Sequence, residues 1–231
     1  MAFLPRRRVP KGRVDEWRAV QGALQARFRT EPLAPLPRFV AGVDCAYSGS
    51  AGETSHAVAV VYDREQQQVV QVRAASQPCD VPYVPGYLSF REAPAVHAAL
   101  DAISAEYGAI LFDGQGIAHP RRCGLATHVG VERDVPSVGC AKSRLIGTHD
   151  EPGERAGEVA ELIDRDERVG RVVRTRDRVK PLYVSVGHRV TLEDAVALVL
   201  ACRTRYRLPE PTRQADRLVA LAKRGERVNL G

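Results

Sequence analysis

Two apolar, β-rich runs that each carry a single carboxylate constrain this chain more than any other feature. FVAGVDCAY (39–47) is interrupted by Asp44, and AILFD (109–113) ends on Asp113. Short apolar runs rich in β-branched or aromatic residues read as buried strands. A carboxylate in such surroundings loses its hydration and needs a cation or hydrogen-bond donors in exchange. Taken alone, either acid is equally well explained by a buried bond to backbone or arginine. Two of them on separate strands can converge on one divalent cation, as phosphoryl transfer requires.

The remaining pattern supplies the frame around those strands. HAVAVVYD (56–63) and VVQVRAA (69–75) form a hairpin about the turn Glu65–Gln68, so three antiparallel strands come first. Before them, residues 14–29 have helical spacing with Trp17, Val20, Leu24 and Phe28 on one stripe, and the prolines of 31–38 end that helix. Pro94 favours a helix start near Ala93, running through Val96, Ala99, Leu100 and Ile103. A helix over about 124–131 and a strand over about 136–141 follow. The charged stretch 150–180 is read as a surface hairpin, and the segment YVSVGHRV as loop. Thr191 to Asp194 resembles a capping box opening a helix through Leu200, and a last helix covers about 211–224. Hairpins followed by alternating strands and helices predict an α/β fold with a central mixed sheet flanked by helices, as one domain over 1–231. Ligand sites lie beyond the carboxyl ends of parallel strands, which directs attention to Asp113 and the loop after it.

Composition narrows the partners. The chain has 34 basic against 28 acidic residues, a net charge of +6. Arg6, Arg7, Arg8, Lys11 and Arg13 precede the first acid, Asp15, and a second basic stretch runs from Arg203 to Arg227. Such surface attracts phosphate backbones through counterion release, although a solvated arginine-rich face has the same composition. Residues 1–13 are read as a basic arm that adds nonspecific affinity. The five cysteines, Cys45, Cys79, Cys123, Cys140 and Cys202, contain no Cys-x-x-Cys pair. This argues against a zinc or disulfide framework and for a reducing, cytoplasmic setting. No apolar run approaches the ~18 residues of a membrane helix, and no secretory signal is visible.

Several further residues can carry chemistry, each with an ordinary alternative. Glu92 can be a third ligand or accept a hydrogen bond from a metal-bound water, or it can simply favour a helix N-terminus. Asp216 in PTRQAD can join the acids or pair with Arg213 or Arg217 on a helix surface. His119 can contact phosphate or be structural, and Lys142 can neutralise a transferring phosphoryl group or lie on the surface. GQGIAHP places His119 where a dinucleotide fingerprint needs a small residue, so that reading fails. In PYVPG (82–86) the prolines stiffen the loop, and Tyr83 can be a rigid wedge between bases or face the core.

In order along residues 39–217, AGVDCAY, PYVPGYLSFREAP, LFDGQGIAHPRRCGLATHVGV, PSVGCAKSRLIG, GHRVTLEDAVALVL and RLPEPTRQAD resemble the endonuclease V family. The resemblance implies a ribonuclease H-like fold and a nuclease that uses Mg²⁺, with Mn²⁺ able to substitute. It matches Asp44 and Asp113 to direct metal ligands, and Glu92 and Asp216 to further catalytic acids. Lys142 and His119 match residues near the scissile phosphate. Pro82, Tyr83, Val84 and Pro85 match a strand-separating wedge, and Gly86, Leu88, Gly114, Gln115 and Gly116 a pocket for the displaced base. The implied substrate is DNA containing deaminated bases, chiefly deoxyinosine, with inosine-containing RNA as the alternative. A monomer without membrane attachment is expected. A catalytically silent binding module of the same fold would have no need of so many acids beside phosphate.

Overall fold

The computed structural model describes residues 11–49 and 54–230, and the larger part of the basic arm, residues 1–10, lies outside them. The described residues build one eight-stranded mixed sheet. Its strands are β1 (Phe39–Ser48), β2 (Thr54–Asp63), β3 (Gln68–Pro78), β4 (Ala109–Phe112), β5 (Ser137–Ala141), β6 (Val159–Asp164), β7 (Glu167–Val173) and β8 (Leu182–His188). They lie in the order β3-β2-β1-β4-β5-β8-β7-β6. Only the central pairs β1–β4 and β4–β5 are parallel, and the hairpin strands on either side are antiparallel. This is the mixed sheet flanked by helices that the sequence predicts.

Five helices cover the sheet: α1 (Lys11–Arg27), α2 (Ser89–Asp101), α3 (Leu125–Arg133), α4 (Leu192–Ala201) and α5 (Glu210–Ala222). Alternation along the central strands sends Ala41, Val43, Ile110 and Phe112 to one face, where they meet Val96 and Leu100 of α2 and Val129 of α3. The opposite parity, Val40, Leu111, Val138 and Cys140, packs against Leu198 and Val199 of α4. Val58, Val60 and Val72 extend this second layer under Ala215 and Val219 of α5. Period-two strands between amphipathic helices thus bury both sides of the sheet. The five cysteines are free thiols, three of them buried. Among the described residues no helix is long and apolar enough to cross a membrane.

Four elements differ from the sequence reading. Helix α2 starts at Ser89, so Pro94 lies inside it and Glu92 in its first turn rather than ahead of it. Turn bonds from Phe90 N–H to the Tyr87 carbonyl and from Arg91 N–H to the Leu88 carbonyl shape that start. Phe90 also stacks on Trp17 at 5.4 Å, contacts that reward helix before the proline is reached. On α1 the buried stripe is Trp17, Gln21 and Leu24, with Val20 40% exposed. The hairpin β6–β7 is no surface appendage, because Val169 and Val172 are fully buried and β7 pairs with β8. Finally, YVSVGHRV contributes β8, an internal strand whose alternation was hidden by burial on both faces.

Close approach of α5 to β1 depends on Gly42. A Cβ there would stand 2.2 Å from the backbone carbon of Pro211 at the start of the helix. Gly42→Ala should therefore push α5 off the sheet and cost about 1–3 kcal/mol, the usual range for overpacking. Thermal unfolding reads the loss, and Asp216, which rides on α5, should be displaced with the helix.

Candidate active site

The parallel register places the two strand acids side by side. Val43 pairs with Phe112 across β1–β4, and the Asp113 N–H donates to the Val43 carbonyl at 3.2 Å. Asp44 and Asp113 are therefore the next residues along adjacent strands at the carboxyl edge. Lys142 follows β5, the third strand of the parallel set, and Asp216 descends from α5. One carboxylate oxygen each of Asp44, Asp113 and Asp216 lies within 4.8 Å of the others. The Lys142 ammonium reaches both Asp113 Oδ2 and Asp216 Oδ1 at 2.5 Å.

The electrostatics of this corner are those of crowded, partly desolvated carboxyls. Burial, then the neighbouring Asp113 charge, pushes Asp44 up to about 8, although the Cys45 N–H donates to its Oδ1 at 2.9 Å. Burial also raises Asp113, against the opposing pull of Lys142. Burial draws Lys142 down, but its bonds to Asp113 and Asp216 outweigh that and hold it above the ordinary lysine range. An all-oxygen set of three crowded carboxylates suits a hard divalent cation such as Mg²⁺, and the ammonium already supplies positive charge between two of them.

Glu92 approaches from the α2 side and stays apart from the three aspartates. Its Oε1 accepts the Tyr47 hydroxyl at 3.1 Å, and Arg91 lies 4.5 Å over the Tyr47 ring. Burial lifts Glu92 to about 7 despite the Tyr47 bond. A carboxyl that exchanges its proton near neutrality is suited to general acid–base work.

Beside the acids opens a cavity of about 370 Å³ whose walls include Tyr83, Gly86, Leu88, Gly114, Gln115 and His119. Glu92, Asp113 and Lys142 also line it. Tyr83 is 67% exposed at its rim, whereas Pro82, Val84 and Pro85 shape the loop without lining the cavity. Gln115 donates from Nε2 to the Ser143 carbonyl, and its buried Oε1 has no hydrogen-bond partner. Gly116 lies behind the wall rather than in it. Its N–H donates to Ser185 Oγ, and a Cβ would stand 2.0 Å from the Val186 carbonyl oxygen, so only glycine lets this loop cross β8. His119 is 5% exposed and held down to about 4 by burial and then by Arg121, so it is neutral at pH 7.

Sequence reasoning missed the support behind this wall. The Gly86 carbonyl accepts from Gln21 Nε2 at 3.1 Å and from the Arg121 guanidinium, and the Gly86 backbone also bonds His119. Gln21 is 1% exposed, donates further to the Cys123 carbonyl and accepts from Arg121 Nε at 2.5 Å. Arg121 in turn covers the Tyr87 ring at 4.0 Å. Helix α1 is thereby tied to both loops that enclose the cavity. The available signal was spacing: Trp17, Gln21, Leu24 and Phe28 repeat as i, i+4, i+7, i+11, with a polar residue in an apolar stripe.

A mixed sheet whose central parallel strands deliver two aspartates to an acidic corner beside a helix-borne third is the ribonuclease H-like plan of a nuclease. The endonuclease V family model matches residues 22–217. Endonuclease V of Alkalilimnicola ehrlichii is 52% identical over 206 residues, 89% of this chain and 90% of that protein. The crystal structure of endonuclease V from Streptomyces avermitilis superposes with a TM-score of 0.87 at 45% identity, covering 91% of this chain and 93% of that one. Ciona intestinalis endonuclease V, crystallised with a 24mer DNA containing an inosine followed by a ribo-adenosine, gives 0.82 at 28% identity, with 93% and 99% covered. The chain belongs to the endonuclease V family.

Two outcomes follow from this geometry. In cation-free protein, Asp44→Asn should raise Tm, by an amount that grows with pH. Folded Asp44 keeps its proton up to about 8, whereas the unfolded carboxyl releases it near the ordinary 3.8, so the wild type loses stability across that window. Scanning fluorimetry in EDTA checks this, and a gain independent of pH would contradict the crowding. Separately, Gln21→Met keeps the bulk of the side chain but removes three hydrogen bonds at the cavity wall. It should loosen the loop at Gly86 more than it lowers Tm, as amide hydrogen exchange along that loop would show.

Proposed function

We propose that this protein is a repair endonuclease that recognises deaminated bases, chiefly deoxyinosine, in DNA. It hydrolyses the second phosphodiester bond on the 3′ side of the lesion with Mg²⁺, leaving a 3′-hydroxyl, a 5′-phosphate and the damaged base in place. The observation that carries this reading is the junction of the Asp44–Asp113–Asp216 cluster with a base-sized cavity rimmed by an exposed tyrosine. The inosine-containing DNA bound by the Ciona relative supports the same substrate.

On this reading Tyr83 wedges the strand, standing rigidly between Pro82 and Pro85, and the displaced base enters between Leu88 and Gly114. Deamination exchanges an exocyclic amine for a carbonyl, which backbone donors and acceptors on the wall can select, and a mispaired base costs less to extrude. Asp44, Asp113 and Asp216 would hold the cation, which would supply Lewis-acid polarisation of the phosphate and a lowered pKa of bound water. Glu92, poised near neutrality, accepts a proton from the attacking water. The Lys142 ammonium faces the scissile phosphate and offsets the charge that grows as the P–O3′ bond breaks. His119 fixes the loop at Gly86 in a neutral form. A single chain is the working unit.

The ribo-adenosine after the inosine in the Ciona complex favours a second substrate, inosine-containing RNA. Cleavage of single-inosine DNA and RNA duplexes, mapped to the nucleotide, decides between them. A Mg²⁺-supported cut at the second bond 3′ to deoxyinosine is expected. Asp113→Ala should abolish that cut while gel-shift binding to deoxyinosine DNA survives. Normal turnover by Asp113→Ala would remove this residue from the metal site.

A further inference from the structure

A second cleft, about 450 Å³, adjoins the base-sized cavity at Lys142. The two share Lys142, Ser143 and Arg144 along a common border, and Asp113 and Glu92 line the first of them. The walls of the cleft are strongly basic. Arg144, Arg178, Lys180 and Arg207 line it, with Glu151 as the single acid among its lining residues.

The cations divide into builders and free charges. Arg174 is spent on structure, because its guanidinium donates to the Gly153, Pro152 and Val179 carbonyls and fixes the loops of the rim. Arg207 likewise donates to the Lys142 and Pro181 carbonyls, which ties the cleft floor to the catalytic lysine. Arg144 and Lys180 are exposed and make no ion pair among the described residues. Arg178 is 85% exposed and meets only the equally exposed Glu154, at 3.7 Å, a contact of little strength in water. Unpaired or weakly paired cations lining a cleft beside a phosphodiester-cleaving centre meet the requirement for a polyanion.

Direction follows from order along the strand. If the damaged base occupies the cavity on one side of Lys142 and the cut falls 3′ to it, the strand leaving the centre continues into this cleft. We propose that the Arg144–Arg178–Lys180 cleft is the track for the phosphate backbone on the 3′ side of the cut. This inference rests on the function proposed above. It also gives the segment 150–180, outside the catalytic motifs, a purpose: it supplies one wall of the track.

The test uses deoxyinosine duplexes whose inosine-bearing strand ends progressively further from the cut. One series is extended on the 3′ side and a second on the 5′ side. Binding is read by fluorescence anisotropy in EDTA, for the wild type and for the Arg178→Glu/Lys180→Glu double variant. Wild-type affinity should rise by about tenfold over the first few nucleotides added 3′ to the cut, and the variant should lose that gain. Its salt slope should fall by about two, near 0.9 per lost phosphate contact. Gain on the 5′ side should match the wild type. Equal loss in both series, or an unchanged 3′ gain, would overturn the track. Both mutated side chains are exposed, and an unchanged Tm for the variant separates lost contacts from misfolding. Failure of the wild type to cut deoxyinosine DNA in Mg²⁺ would instead overturn the function on which the track depends.

Discussion

Everything at this site depends on like charges being forced together by the parallel pairing of β1 and β4. That register sets Asp44 beside Asp113 where the strands give out, and packing of α5 on Gly42 brings Asp216 to meet them. Crowded carboxylates deprived of water are unfavourable unless positive charge is supplied. Lys142 supplies part of it within the chain, by pairing with Asp113 and Asp216. Any further positive charge brought to the corner would relieve the same crowding.

The recognition half of the site is built on a different principle. Its wall is made of loop backbone, which offers donors and acceptors but holds no shape unaided. Rigidity is imported from α1 through Gln21, and from Arg121, which converge on one carbonyl at Gly86. Trp17 contributes from the same helix by packing against Tyr87 and Phe90. Asp44 and Asp113 are thus positioned by strands, Asp216 by a helix, and the cavity wall by a braced loop.

Much of this was legible in the order of residues. Alternating apolar runs disclosed the hairpins and the central strands, and acids placed where burial would penalise them disclosed the acidic corner. The helix cap at Thr191, whose side chain accepts the Asp194 N–H, followed from local chemistry as well. What escaped was set by tertiary contact. β8 is buried on both faces and lacks the alternation that marks half-exposed strands. The early start of α2 is rewarded by Phe90 meeting Trp17, 73 residues away in sequence, which overrides the proline signal. Gln21 was hidden because a buried amide reads as a break in an apolar stripe until its partners on two distant loops are seen.

The arrival of Asp216 on α5 has a consequence during biosynthesis. A nascent chain translated as far as β8 already carries Asp44, Asp113 and Lys142, yet it lacks the helix that completes the acidic cluster. Domains fold as their segments emerge from the ribosome. The acidic cluster is consequently completed only after every strand of the sheet has been synthesised, and a translation product that stops before α5 would lack both Asp216 and the apolar cover of Val58, Val60 and Val72.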